Sequence, residues 1–442
     1  MGKRFLLVSW DGGGNLGPEL AVARRLRARG HSVRLLGDPT LEAEARASGC
    51  EFSAWKTAPH KKAPGRDHDV FKDYETSSPL EMIDTYMREF LAGPAPRWVA
   101  DTLEELEARP VDAVLVDMAL PATLIAAEKL KLPSATLMPN IWIYPTRGIP
   151  PLGPGFLPAK SFVGRARDAI MRGLMERVFR RALPELNAAR QAHGLEPLAD
   201  VYQQMLGADQ ILVQTSPRFD FTSPFLPSKV HYVGPELGDP AWSRAGNGAS
   251  AARAAARWQP PFAADDRRPL VLVGLSSTFQ DQVPTLRRIV GVLSRLEVRA
   301  VVTLGPSLDP DEVPGASNVV VVRTAPHAEV LEHAALLITH CGHGTTLKGL
   351  AAGVPLVCLP MGRDQNDTAA RVVFAGAGLR LKPSASERRI GAAVERVLGE
   401  PSYGAAAKRL AQAIAARDGC EDAVGVLERL ARVEAAADVA AV

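Results

Sequence analysis

The residues with the clearest chemical content lie in HCGHGTTLKGLAAGVPLVCLPMGRDQND, residues 340–367. An apolar run ending at His340 gives way to Cys341-Gly342-His343-Gly344-Thr345-Thr346, and a helical pattern begins there. Two glycines let the backbone approach a ligand closely. Two threonines set hydroxyls beside the unpaired N–H groups of a helix start, an arrangement suited to a phosphate or diphosphate. The next apolar run ends at Pro360 and is followed by Arg363-Asp364-Gln365-Asn366, a cluster able to grip sugar hydroxyls. A diphosphate site beside a hydroxyl-binding site suggests a nucleotide sugar.

A second glycine-rich loop opens the chain. In SWDGGGNLGPELAVARRLRARGHSV (residues 9–33), Gly12, Gly14 and Gly17 spell G-x-G-x-x-G, with Asp38 after the next apolar run. That is the spacing of a dinucleotide site and its ribose-binding acid. Against an NAD(P)-dependent oxidoreductase, Pro18 favours a helix beginning late in the fingerprint, and Ser9-Trp10-Asp11 intervenes between strand and glycines. Asp309-Pro310-Asp311 has a D-x-D form that elsewhere holds divalent metal. It lies in a polar stretch after an apolar run, and a solvated turn with no metal is expected.

These loops need strands and helices to hold them. Apolar runs at 5–10, 32–37, 112–117, 134–139 and 210–216 alternate with amphipathic stretches such as Leu20–Arg29 and Leu120–Lys131. A second series follows at 269–277, 299–305, 319–323, 335–340 and 355–360. Continuous Val/Leu/Ile runs separated by helices indicate parallel strands buried on both faces, here in two Rossmann-like α/β units. The Pro- and Ser-rich stretch 215–240 reads as the seam. The expected organisation is a first domain over 1–216, a linker over 217–240, a second domain over 241–415 and a C-terminal helix over 416–442. Residues 241–266 read as an extra loop or loosely held helix. Residues 53–98 and 140–175 break the alternation, and their Trp, Tyr, Phe and Met content suggests irregular segments lining a binding site.

The bulk composition excludes several classes. With 442 residues the chain exceeds one ordinary core. Its 52 basic and 49 acidic residues nearly balance and form no basic block, so nucleic acid is not an expected partner. No apolar run reaches the length of a membrane span, and the four cysteines lack any C-x-x-C spacing. A reduced, cytoplasmic chain, monomer or homodimer, is expected.

The 340–365 motif resembles H-C-G-x-x-[ST]-T…G-V-P…P…[DE]-Q of the GT-B nucleotide-sugar-dependent glycosyltransferases. These are the family 1 type, with bacterial natural-product and macrolide enzymes and their plant secondary-product relatives. APHAEVL (325–331) is similar to the family's W-A-P-Q-x-x-V-L, with Thr324 at the Trp position and His327 at the Gln. The stretch 274–282 resembles its first C-domain strand and loop, and 215–234 its linker. The resemblance covers nearly the whole chain. It implies a GT-B fold of two Rossmann-like domains facing across a cleft, and an inverting transfer with no covalent intermediate. It also implies a donor site in which Thr324, Ala325, Pro326 and His327 border the base, and His340, Gly342, His343, Gly344, Thr345 and Thr346 hold the diphosphate. Ser276, Ser277 and Thr278 would help, and Asp364 and Gln365 would bind the sugar. Asp364 could also serve as a helix N-cap.

Two departures bear on mechanism. Plant members carry a ribose-gripping Glu where this chain has Lys348, which accepts no hydrogen bond; UDP- and dTDP-sugars both stay open. The family's G-H-x-x-P loop appears as G-N-L-G-P, with Asn15 at the position of the general base. An amide takes no proton at neutral pH. Asp117, resembling the aspartate that normally orients the missing histidine, is the expected substitute, with Asp11 next; Asn15 would orient the acceptor. A catalytically impaired nucleotide-sugar-binding accessory protein is the alternative from another class. The expected acceptor is an apolar hydroxylated small molecule, polyketide, macrolide or phenol, walled by Trp55, Phe71, Tyr74, Met82, Tyr86, Phe90, Trp142 and Tyr144.

Overall fold

A computed structural model describes residues 2–63, 65–76, 79–240, 243 and 257–437. The first sheet has seven strands: β1 (Arg4–Val8), β2 (Ser32–Gly37), β3 (Glu51–Ala54), β4 (Ala113–Asp117), β5 (Ser134–Met138), β6 (Gln210–Val213) and β7 (Val230–Tyr232). All are parallel, in the order β3-β2-β1-β4-β5-β6-β7. The second sheet has six: β8 (Leu270–Gly274), β9 (Arg299–Thr303), β10 (Val319–Val322), β11 (Ala334–Thr339), β12 (Leu356–Cys358) and β13 (Gly378–Arg380). These too are parallel, in the order β10-β9-β8-β11-β12-β13.

Every continuous apolar run of the sequence became a strand. The strands β4 and β8 are buried along their whole length, because helices cover both faces of a parallel sheet. The sequence did not show β3, β7 and β13. All three are sheet edges of three or four residues with half-exposed side chains, so no apolar run marks them. β7 lies inside the stretch expected to be linker, and the first sheet therefore continues past residue 216. Of the stretch 241–266 expected to be a loop or loose helix, 241–242 and 244–256 lie outside the described residues, and 257–266 form no helix.

The two irregular segments need correction. Residues 53–98 contain the helix Pro79–Thr85, a wider π-turn at Tyr86–Leu91 and the start of the helix Ala95–Ala108. Residues 140–175 run into an 18-residue helix, Phe162–Phe179, started by the Ser161 hydroxyl, which accepts from the Gly164 N–H. Its Phe162, Val163 and Ile170 are exposed, so its periodicity does not report a core face.

The C-terminal helix Gly419–Ala437 packs on the helix Leu16–Ala28 of the first domain. Cys420, Val424, Leu427 and Ala431 recur every three or four residues and join Leu20, Ala23 and Leu26 in one buried cluster. Arg29 and His31 add ion-pair contacts to Glu428 at 2.8 and 3.0 Å. The domains also meet in the buried pair Arg371–Asp220 at 2.6 Å, where Tyr232 Oη and the Trp142 N–H donate to the second Asp220 oxygen.

Candidate active site

In each sheet the strand order reverses beside the first strand, and the loops leaving the strands' carboxyl ends there open a crevice. In the first domain those strands are β1 and β4, and their loops carry Asn15 and Asp117. In the second they are β8 and β11, carrying Ser276–Thr278 and His340–Thr346. The two loop sets touch: a β-carbon on Gly13, at φ +86°, would stand 2.8 Å from Thr278 Cγ2 and 3.5 Å from Ser277 Oγ.

In the second domain an uncapped helix start follows β11. Between β11 and the helix His343–Ala351 the chain turns through Cys341 at φ +70°, the left-handed region that costs a non-glycine residue. Gly342 follows because a β-carbon there would come within 2.6 Å of His340 Nε2. His340 is buried, which with nearby Arg363 lowers its pKa to about 3 and keeps the ring neutral. The helix starts without a side-chain cap, and Gly344 lies exposed at its first turn with open space where a β-carbon would be. Thr346 Oγ1 and His343 Nε2 are buried and without a partner. Burial, and Arg371 after it, also lowers His343 to about 3. On the loop after the neighbouring strand β8, the Ser276 and Thr278 hydroxyls lie 3.0 Å apart, and Arg363 Nη1 donates to Thr278 Oγ1.

Gln365 organises the loop after β12, the expected sugar end. Its Oε1 accepts from the Met361 and Gly362 N–H groups, and its Nε2 donates to Gln280 Oε1 at 3.0 Å. Asp364 sits at the helix N-cap position and makes no side-chain cap bond. Burial raises its pKa, and Asn140 of the first domain hydrogen-bonds to its carboxyl. At the expected base end, Thr324 Oγ1 is buried without a partner, Ala325 is buried, and Pro326 caps the helix His327–Leu331. His327 shares a 2.8 Å hydrogen bond with Thr303 Oγ1, and burial with Lys348 nearby lowers its pKa to about 4. Lys348 is no solvated helix face. Its ammonium pairs at 2.6 Å with Asp239, whose other oxygen accepts from the Ala328 N–H.

The first domain supplies the other half. Asn15 Nδ2 donates to Asp117 Oδ2 and to the Trp10 carbonyl, both at 2.9 Å, and approaches Glu19 Oε1 at 3.5 Å. Asp117 Oδ1 accepts from the Ala119 N–H at 2.7 Å. Glu19, one turn along the helix from Asn15, is 2% exposed. Asp11, the second expected base, stands apart from this group: it accepts from Thr40 Oγ1, lies 3.7 Å from Lys61 Nζ, and its N–H donates to Asp38. Asp38 is 1% exposed, and burial raises its pKa to about 6. Asp309 pairs with Arg323 and caps the turn Pro310–Glu312.

The expected acceptor wall divides. Trp55, Phe90 and Trp142 are 2–3% exposed and belong to the first domain's core, a correction. The Trp55 and Trp142 indole N–H groups are spent on the Ser9 carbonyl and the Thr146 hydroxyl. Tyr144 is buried as well, but its hydroxyl has no partner and feels Asp117. Phe71, Tyr74, Met82 and Tyr86 are half-buried. Tyr86 stacks on Phe90 and donates to the Ala119 carbonyl, and Tyr74 meets Phe279 of the second domain edge-on at 5.3 Å. Glu19, Asn140, Asp239 and Gln280 escaped the sequence reading. Only Glu19 left a signal there, an acid four residues after Asn15 on a helix face that is otherwise apolar.

Comparison with known proteins gives the class. Residues 287–430 match the family model described as erythromycin biosynthesis protein CIII-like, C-terminal domain. The 4'-demethylrebeccamycin synthase of Lentzea aerocolonigenes is 29% identical over 97% of this chain and 100% of its own. The O-mycaminosyltylonolide 6-deoxyallosyltransferase of Streptomyces fradiae is 26% identical over 98% of this chain and 99% of its own. Among solved structures, the glycosyltransferase of kitacinnamycin superposes with a TM-score of 0.75 at 22% identity, covering 97% of this chain and 99% of that one. Fold and crevice define a GT-B protein. Within that fold the chain is similar to the natural-product glycosyltransferases over nearly its whole length, as its motif implied. The oxidoreductase alternative gives way to this likeness. No described helix is long and apolar enough to cross a membrane.

Proposed function

We propose that this enzyme moves a sugar from a UDP- or dTDP-sugar to a hydroxyl of an apolar small-molecule acceptor, inverting the anomeric centre and using no metal. The observation that carries this reading is the contact of Gly13 with Ser277 and Thr278, which brings the Asn15–Asp117 loops to the donor loops across one crevice. The diphosphate would sit at the uncapped helix start beside Gly344, whose N–H groups stabilise the leaving charge without a metal. Gln365 and Asp364 would hold the sugar. The relative named as a 6-deoxyallosyltransferase supports a deoxysugar donor. Asp117 would receive the acceptor's proton, and Asn15, tied to Asp117, would fix the loop that orients the acceptor between Tyr86, Phe71 and Tyr74. The four cysteines are unpaired, in keeping with a cytoplasmic enzyme.

A mass-spectrometric transfer screen tests the reading: protein with EDTA, UDP-glucose or a dTDP-sugar, and phenolic and macrolide acceptors. A sugar-sized mass gain with either donor is expected. Asp117→Asn should lower transfer at least a hundredfold and leave nucleotide affinity unchanged; wild-type turnover in that variant would remove Asp117 as the base.

A further inference from the structure

Asn15 leaves the reaction without the imidazole that would take the acceptor's proton, and a lone carboxylate is a weak base for a hydroxyl. The structure supplies a second carboxyl at the same place. The Asn15 amide group reaches both acids, Asp117 Oδ2 at 2.9 Å and Glu19 Oε1 at 3.5 Å. Each acid is 2% exposed. Asp117 is held by the Ala119 N–H as well, whereas Glu19 Oε2 is buried without a partner. Two acids packed together inside a protein cannot both ionise cheaply.

We propose that Glu19 and Asp117 work as one carboxyl pair, and that this pair replaces the absent histidine as the proton acceptor. The inference rests on the glycosyltransfer reading above and deepens it. Burial first, and then the neighbouring Asp117 carboxyl, pushes the Glu19 carboxyl well above the usual carboxylate range. The other groups facing the pair are the Asn15 amide, the Ser9 hydroxyl and the Tyr86 and Tyr144 phenols. None of them is a cation that would offset the two charges. The conjugate acid of the doubly ionised pair is therefore weaker than an ordinary carboxylic acid, which makes the pair the stronger base.

The step balances as follows. The acceptor O–H bond breaks and its proton goes to the pair. The oxygen's electron pair forms the bond to the anomeric carbon while the sugar–diphosphate C–O bond breaks, and that bond's electrons leave with the diphosphate. The pair then returns one proton to solvent. Asp117 receives the proton, and Glu19 acts through it as a positioning and proton-sharing residue.

The test is a pH–rate profile of the full chain with Glu19→Gln, which keeps the shape and removes one charge. In the wild type, turnover should climb with pH through a limb above the ordinary carboxylate range. In the variant the limb should move to lower pH by a unit or more, and the ceiling rate should fall about tenfold. Carbon-13 carboxyl NMR of the substrate-free protein gives a reading independent of turnover: one proton kept on the pair near pH 7 in the wild type and absent in the variant. An unmoved limb, or two carboxyls that both titrate in the ordinary range, overturns the pair. If no acceptor is turned over at all, the transfer reading fails and the NMR titration still decides the pair.

Discussion

Gly13 of the first domain lies against Thr278 of the second, so close that a β-carbon would stand 2.8 Å from the threonine methyl. This contact joins the two halves of the crevice at the loop that carries Asn15. Gly13→Ala adds both that clash and a strained φ of +86°, which costs about 1–2 kcal/mol. The expected outcome is a melting temperature lower by a few degrees and a transfer rate lower by about tenfold, because misplacing reacting groups is costly. Differential scanning calorimetry and initial rates check both. A variant as active as wild type would show that the domains need not meet there.

Asn15→His restores an imidazole beside Asp117. The amide nitrogen already bonds Asp117 at 2.9 Å, so a ring nitrogen at that position has a carboxylate to orient it. Initial rates near pH 8 should rise about tenfold, within the range that a general base contributes. No gain would mean that the first domain's base lies elsewhere.

Arg371 and Asp220 form a buried pair in which both side chains are at most 3% exposed, and Tyr232 and Trp142 share the carboxylate. Arg371→Met leaves Asp220 buried without its counter-charge, which should destabilise the protein by about 3–5 kcal/mol. Urea unfolding at pH 7 measures it. A loss under 1 kcal/mol would show that Tyr232 and the Trp142 N–H suffice.

Acid should weaken the fold through three histidines. His327, His340 and His343 have pKa values lowered to about 4, 3 and 3 from an ordinary 6.5, mainly by burial. Their folded forms bind fewer protons than the unfolded chain between those limits. The stability they carry is thus complete above pH 6.5 and is lost as pH falls towards 4. Glu19 has the opposite sign: its pKa is raised, so its contribution is complete at low pH and lost as pH rises through the folded value. Melting temperatures should therefore drop between pH 6.5 and 4, and Glu19→Gln should soften the decline on the alkaline side. A flat profile from pH 7 to 4 would contradict the neutral, buried state of the three rings.

The sequence by itself determined the class. Ten apolar runs gave ten of the thirteen strands, because a parallel strand covered on both faces must be apolar along its whole length. The 340–365 motif was legible for a similarly local reason: the tight turn after β11 needs Gly342, where a β-carbon would meet His340. Asn15 and Asp117 were legible through the likeness of GGGNLGP to the family's G-H-x-x-P loop and of the end of DAVLVD to its strand-end aspartate.

What tertiary structure alone decided are meetings between distant residues. Glu19 and Asp117, Asn140 and Asp364, and Lys348 and Asp239 lie about a hundred or more positions apart and share no pattern in the chain. Aromatic content could not separate wall from core, since Trp55 and Trp142 pack inside while Tyr86 is half-exposed. Burial depends on what covers a side chain. The edge strands β3, β7 and β13 were hidden for the converse reason: with one side open, no continuous apolar run was required of them.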